Sequence, residues 1–227
     1  RLIAAGQGDI AISYQPSFTR AVMSGIPVVR IGTLVATPLN TLTVLADGPI
    51  KTLADLKGRT IGYSGSGIHD MILKTMLKSV GLTEADVKLV NVNFALTAAL
   101  VSGRADAIIG GFRNFEGTEI ELAGKKPTMF FPEEHGVPPY DELIYIVKQE
   151  RFGDACFDRF FSAIEEATMM ILNDPQGTWA TFIKAYPKLD DALNRKAWMD
   201  TMPRFQASPR AVAVSYTHLT LPTICSV

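Results

Sequence analysis

Short apolar runs and amphipathic stretches interleave along this chain, which is the rhythm of alternating strands and helices. Residues 9–14 predict a buried strand, and 17–24 a short helix after Pro16. Gly25-Ile26-Pro27 marks a turn before a strand over 28–35. A strand over 41–46 runs into Asp47-Gly48-Pro49, a strong break. Residues 52–58 predict a capped helical turn ended by Gly58, followed by a strand over 59–63. After the loop Ser64-Gly65-Ser66-Gly67, the residues Ile68, Met71, Ile72, Met76, Leu77 and Val80 keep helical spacing, and Gly81 ends the helix. A strand over 87–92 and a helix over 97–102 continue the alternation, with further strands over 129–131 and 143–147. From Asp154 the pattern is helical: Phe157, Phe160, Phe161, Ile164, Thr168 and Ile171 form an apolar face that predicts core, stopped by Asn173-Asp174-Pro175. Two more helices are predicted around 176–185 and 189–200. The order predicts an α/β fold with mainly parallel sheets covered on both faces.

One unit occurs twice. Residues 4–13 and 101–110 each bring a small-residue helix end to a glycine (Gly6, Gly103), then two spacers, an aspartate (Asp9, Asp106) and an apolar strand. Glycine at that place fits the left-handed conformation that commonly ends a helix. The repeat predicts two similar lobes, with ligand in the cleft between them and closure about a hinge. The first lobe is expected over 1–46 and 149–213 and the second over 47–148, with crossings near 46–48 and 147–149.

Composition narrows the functional classes. A hydrophobic content of 47 % fits a packed globular protein. The 22 basic and 23 acidic residues are dispersed and leave a net charge of −1, so no basic stripe points to nucleic acid. No apolar run approaches the ~20 residues of a membrane helix. The chain opens at Arg1-Leu2 without a methionine and inside what reads as a helix already under way, so it is expected to be a fragment whose true N-terminus is missing and to bind ligand poorly as it stands. Residues 214–223 match the translation of a transposase-type sequencing adapter, so 214–227 is expected to be an artefactual tail that carries His218 and Cys225. Cys156 then remains alone, which excludes an internal disulfide and argues against a cysteine metal site.

Catalytic constellations are hard to build. His69 and His135 are far apart, and neither a G-x-S-x-G elbow nor an H-E-x-x-H spacing occurs. Glu133-Glu134-His135 reads as solvated surface, and Glu119 and Glu121 as an exposed helix face. No metal site, catalytic residue or cofactor is expected. Ser64, Gly65 and Ser66 follow a strand and open a helix, which fits either a cradle for an anionic or carbonyl oxygen or a plain capped turn. The lysine of a nucleotide phosphate loop is missing. After the second repeat strand comes Gly110-Gly111-Phe112-Arg113-Asn114-Phe115-Glu116, where open α/β sheets place their ligands. Asn114 and Glu116 are candidates for polar contact, with Phe112 or Phe115 offering a ring face; the alternative makes Arg113 and Glu116 surface ions. Tyr14-Gln15 holds the matching position after the first repeat strand.

Several segments in order carry a resemblance: 8–16 with Tyr14-Gln15-Pro16, Arg-Ile-Gly-Thr-Leu-Val followed by Pro38-Leu39-Asn40, Asp55-Leu56-Lys57-Gly58, Ile61-Gly62-Tyr63-Ser64, and Gly111-Phe112-Arg113-Asn114-Phe115-Glu116. Phe130-Phe131-Pro132-Glu133-Glu134 and Gly136-Val137-Pro138 extend it, so that it spans 1–205. The chain resembles the periplasmic substrate-binding proteins of ABC importers for thiamine pyrimidine precursors, relatives of the eukaryotic pyrimidine-forming enzymes. The resemblance implies a two-lobed fold of the type II periplasmic binding protein kind. It also implies a monomer, periplasmic or membrane-anchored outside the cytoplasm, that delivers an aminopyrimidine to a permease and its ATPase. In that reading Glu116 engages the exocyclic amine and ring nitrogen of formylaminopyrimidine or hydroxymethylpyrimidine, with Asn114 in support. Tyr14 stacks on the ring, Asn40 bonds a substituent, and Ser64, Gly65 and Ser66 face the substituent oxygen, with Gln15 and Phe115 as further ligand-binding candidates. Three alternatives stay open. One is import of another solute, such as an alkanesulfonate, nitrate or riboflavin precursor. Another is the pyrimidine-forming enzyme, which uses a lysine and a histidine for pyridoxal phosphate and a cysteine-rich motif that this chain lacks. The third is the effector domain of a transcription regulator.

Overall fold

The computed structural model describes residues 2–65 and 68–210, the side chains of 68–70 excepted. The expected tail with His218 and Cys225, the loop residues Ser66 and Gly67, and the His69 side chain lie outside the described residues. In chain order the elements are β1 (Ala11–Ser13), α1 (Gln15–Met23), β2 (Val28–Val35), β3 (Asn40–Leu45), β4 (Thr60–Tyr63), α2 (Ile68–Lys78), β5 (Lys88–Asn91) and α3 (Leu96–Val101). There follow β6 (Ala107–Phe112), α4 (Glu116–Leu122), β7 (Pro127–Phe130), β8 (Leu143–Lys148), α5 (Ala155–Asn173), α6 (Pro175–Ala185) and α7 (Ala192–Thr201). The chain divides into two compact units, one of residues 1–36, 140–178 and 204 onward, the other of 37–139 and 179–203.

In the first unit the sheet order is β1-β8-β2, and both pairings are antiparallel. The parallel arrangement expected from the apolar strands does not hold here. Apolar runs report burial, and an antiparallel strand can be buried as well. Nor is β1 the buried strand that 9–14 predicted. Among the described residues it is the edge strand of its sheet, and Ile12 is 55 % exposed. The core of this unit gathers Ile31, Tyr145, Val147, Phe157 and Phe161, so the predicted apolar face of α5 is packed on β2 and β8. Tyr145, Phe160 and Phe161 meet edge to face with centroids 5.4–5.5 Å apart, the favoured geometry for ring quadrupoles. Gly32 makes room for them, since a Cβ there would lie 2.6 Å from Phe161 Cζ.

In the second unit the order is β5-β4-β6-β3-β7. β4 runs parallel to β5 and β6, and β3 is antiparallel to both β6 and β7. The sheet is therefore mixed. A cluster of Val92, Leu96, Ala99, Leu100, Ala105, Ile108 and Ile120 packs α3 and α4 on it. β3, expected in the first lobe, belongs here because both of its hydrogen-bonded neighbours do. The Asp47-Gly48-Pro49 break is a turn within this unit, with Gly48 N–H donating to the Leu45 carbonyl at 3.0 Å. The units accordingly divide between Ala36 and Thr37 and between Pro139 and Tyr140, and 179–203 joins the second unit.

Both repeat glycines adopt positive φ, 74° at Gly6 and 75° at Gly103, as their place predicts. Their aspartates part company. Asp106 clamps β6 to β4: it accepts the Thr60 N–H at 2.8 Å, and its own N–H donates to the Thr60 carbonyl at 2.8 Å. Asp9 instead pairs with Arg151. The close approach at Gly32 makes a direct prediction. Gly32→Ala should lower unfolding stability by about 1–3 kcal/mol, the range for overpacking a core, in a denaturant titration; an unchanged midpoint would contradict the packing described.

Candidate functional site

The register of the second sheet collects the motifs at one end. Asn40 opens β3 opposite Phe112, which closes β6, and the Arg113 N–H donates to the Leu39 carbonyl at 2.9 Å. β4 runs parallel to β6 with Tyr63 beside Ile109, so Ser64 and Gly65 leave the sheet at the same end. β7 pairs Phe130 with Leu42, which brings Phe131 and Glu133 there too. Of the predicted residues, Asn40, Ser64, Gly65, Asn114, Phe115 and Glu116 share this end; Tyr14 and Gln15 belong to the first unit, and Ser66 lies outside the described residues.

Glu116 is the first residue of α4 and folds back over the end of β6, where its Oε2 accepts the Phe112 N–H at 2.6 Å. Gly111 permits this, because a Cβ there would stand 3.3 Å from Glu116 Cβ and Cγ. Burial raises the carboxyl's pKa above its ordinary value, and the backbone N–H groups of Phe112 and Glu116 offset part of that rise. Asn114 is 7 % exposed and donates from Nδ2 to Thr201 Oγ1 at 2.7 Å. Asn40 is buried, Phe115 and Ser64 are half-buried, and Gly65 is exposed with φ 74°.

Arg113 is not a surface ion. Its Nη1 lies 2.8 Å from Glu133 Oε1 and its Nη2 donates to Oε2 at 3.0 Å, a two-pronged pairing. The guanidinium carbon stands 4.2 Å from the Phe131 ring centroid. Glu133, expected as solvated surface, is thus an anchor that holds the segment after β7 to the segment after β6. Glu119, expected on an exposed face, is half-buried, whereas Glu121 is exposed. The Phe131-Pro132-Glu133 sequence carried a signal for this pairing only as part of the family pattern, since no local spacing links Glu133 to Arg113.

In the first unit Tyr14 precedes α1 at its N-cap, and Gln15 Oε1 accepts the Asp141 N–H at 2.7 Å. The Asp141 carboxylate in turn pairs with Arg30, 7 % exposed, which also donates to Thr33. Gln15 therefore ties the start of α1 to the segment leading into β8. The sequence held one unread sign of this network, an arginine in the otherwise apolar run of β2.

Two compact units, each built on its own sheet with helices packed on it, define the fold class. The solved structure of the periplasmic aliphatic sulphonate binding protein SsuA from Escherichia coli has that fold: it is similar with a TM-score of 0.70 and 17 % identity, covering 91 % of this chain and 65 % of that one. The chain belongs to the NMT1/THI5-like family, whose profile matches residues 1–178. A Haemophilus influenzae protein assigned to thiamine biosynthesis is 44 % identical over 211 residues, 92 % of this chain and 67 % of its own length. The formylaminopyrimidine-binding protein of Halalkalibacterium halodurans is 40 % identical over 176 residues, 76 % of this chain and 53 % of its own. More distant is a 4-amino-5-hydroxymethyl-2-methylpyrimidine phosphate synthase of Uromyces fabae, 26 % identical over 86 % of this chain and 60 % of its own. The chain thus spans from about half to two thirds of the length of these relatives. The fold class and the family read from the sequence motifs are the ones found.

The raised pKa of Glu116 has a signed consequence. Its protonated form is favoured in the folded state, so the burial penalty is absent below the unfolded pKa and complete above the folded one. The melting temperature of Glu116→Gln minus that of the wild type should therefore grow as pH rises from about 4 to about 7. A difference constant across that window would remove the burial penalty from the account.

Proposed function

We propose that the protein is the solute-binding component of an importer and takes a 4-aminopyrimidine precursor of thiamine, formylaminopyrimidine or its hydroxymethyl counterpart. The observation that carries this reading is the half-buried Glu116 carboxyl at the end of β6, oriented by the Phe112 N–H. A 4-aminopyrimidine presents an N–H donor beside a ring-nitrogen acceptor. A carboxyl oxygen accepts from the amine, and a proton held between the second oxygen and the ring nitrogen closes the pair whichever partner carries it. The two edges are complementary. Asn40 and Ser64, at the same end of the sheet, are suited to a formyl or hydroxyl oxygen of the substituent, and Phe115 to the ring. Tyr14 and Gln15, in the first unit, are the remaining candidates that the family resemblance names. The 40 % identity to a formylaminopyrimidine-binding protein supports the ligand class, and the sulphonate-binding fold supports the transport role.

In this role the protein acts outside the cytoplasm, as a monomer, and hands its ligand unchanged to an ABC permease driven by an ATPase. It binds and does not convert. No helix among the described residues is long and apolar enough to cross a membrane.

Isothermal titration of the full-length protein tests the reading. Formylaminopyrimidine or hydroxymethylpyrimidine should bind more tightly than thiamine or taurine, and the ligand should be recovered unaltered. Glu116→Ala should weaken binding about tenfold to a hundredfold, the cost of a hydrogen bond to a charged or neutral carboxyl. Preferential binding of taurine, or a Glu116→Ala variant as tight as the wild type, would overturn it.

A further inference from the structure

Thr201, the last residue of α7, lies beyond the residues 1–178 matched by the family profile, yet it touches a candidate ligand residue. Two distances decide the polarity of that contact. Thr201 Oγ1 donates to the Ala197 carbonyl one turn earlier at 2.5 Å. A carbonyl has no hydrogen to give, so the hydroxyl's single hydrogen is committed there. Toward Asn114 the Oγ1 can then only accept, which fixes Nδ2 as the atom facing it at 2.7 Å. The amide is consequently locked against the flip that would exchange its oxygen and nitrogen. Asn114 Oδ1 is buried and accepts no hydrogen bond from the described residues. A buried amide oxygen left without a donor costs about 1–3 kcal/mol. Among the described residues nothing offsets it.

α7 is itself held firmly. Asp191 caps it by accepting the Asn194 N–H at 2.7 Å, and Trp198 packs against Phe182 and Trp179 with centroids 5.1 and 5.5 Å apart. The helix lies on α4, whose first residue is Glu116. Thr201 therefore reaches Asn114 from a rigid support.

We propose that Thr201 is a positioning residue that sets the Asn114 amide as an acceptor, so that the site selects a ligand carrying an N–H there and rejects one carrying a lone pair. This deepens the aminopyrimidine reading and rests on it: an exocyclic amine brings two N–H bonds, one for Glu116 and one for Asn114 Oδ1.

The test compares formylaminopyrimidine with its 4-methoxy analogue, in which an acceptor oxygen replaces the amine, by titration of the full-length wild type, Thr201→Val, Thr201→Ala and Thr201→Ser. The wild type should prefer the amine. Thr201→Val and Thr201→Ala, which free the amide to turn, should lose about tenfold of that preference, and Thr201→Ser should restore it. Equal weakening of both ligands, or an unchanged ratio in a folded variant, would overturn the proposal and leave the aminopyrimidine reading standing. The ¹⁵N–¹H signals of the Asn114 side chain give a second, ligand-free readout: slow hydrogen exchange in the wild type, fast in Thr201→Val. If the wild type binds neither compound, the aminopyrimidine reading falls and the selectivity proposal with it, while slow exchange at Asn114 would still separate a locked amide from a mobile one.

Discussion

The site of the second unit depends on one pairing, β3 against β6. β3 enters a set of parallel strands in the opposite sense, and its first residue therefore stands against the last residue of β6. That register puts Asn40 level with Phe112 and ties Leu39 to Arg113. A slip of one residue would turn every side chain of β3 to the other face of the sheet. The buried run Asn40-Thr41-Leu42-Thr43-Val44 holds the register with apolar residues and with hydroxyls that bond inside the sheet. Thr41 Oγ1 donates to the Gly111 carbonyl at 3.0 Å and lies 2.8 Å from Thr43 Oγ1. Gly111 is also the residue whose missing Cβ lets Glu116 fold back. Sheet register and carboxyl placement thus meet at one glycine.

From there the chemistry of the site follows from what the backbone has already satisfied. Phe112 N–H orients one Glu116 oxygen, so the carboxyl is fixed before any ligand arrives. Burial raises its pKa above the ordinary value. The Arg113 cation is neutralised by Glu133 and covered by Phe131, so it does not present itself as a free positive charge at the strand ends. A sulphonate ligand draws on positive charge, whereas a neutral aminopyrimidine draws on matched donors and acceptors. The similarity to the SsuA structure is one of fold.

Local chemistry was legible in the sequence where it is decided locally. Gly6 and Gly103 sit where a helix end needs positive φ, and Thr52 with Asp55 forms the capping arrangement expected at 52–58. The α5 face read from a 3.6-residue period is the face that is buried. What stayed hidden is decided by partners distant in sequence. Apolar runs do not encode strand direction, so the antiparallel first sheet and the insertion of β3 into the second could not be read from them. Asp9 and Asp106 occupy matching places in the repeat, yet one meets Arg151 and the other the backbone of Thr60. Glu133 looked solvated because its partner is twenty residues away, and Arg30 gave no hint of Asp141. The motif after β6 could be singled out as a candidate because glycines, an aromatic and a carboxyl follow a strand end. Thr201 was not, because a threonine at a helix end has no pattern of its own.

The central claim is that Glu116 recognises the amine edge of a pyrimidine. It is tested most directly by a crystal structure of the full-length protein with formylaminopyrimidine. The account predicts the 4-amino nitrogen within hydrogen-bond distance, about 2.7–3.2 Å, of a Glu116 carboxylate oxygen. A bound pyrimidine whose amine faces elsewhere, with Glu116 still bonded only to the Phe112 backbone, would contradict it.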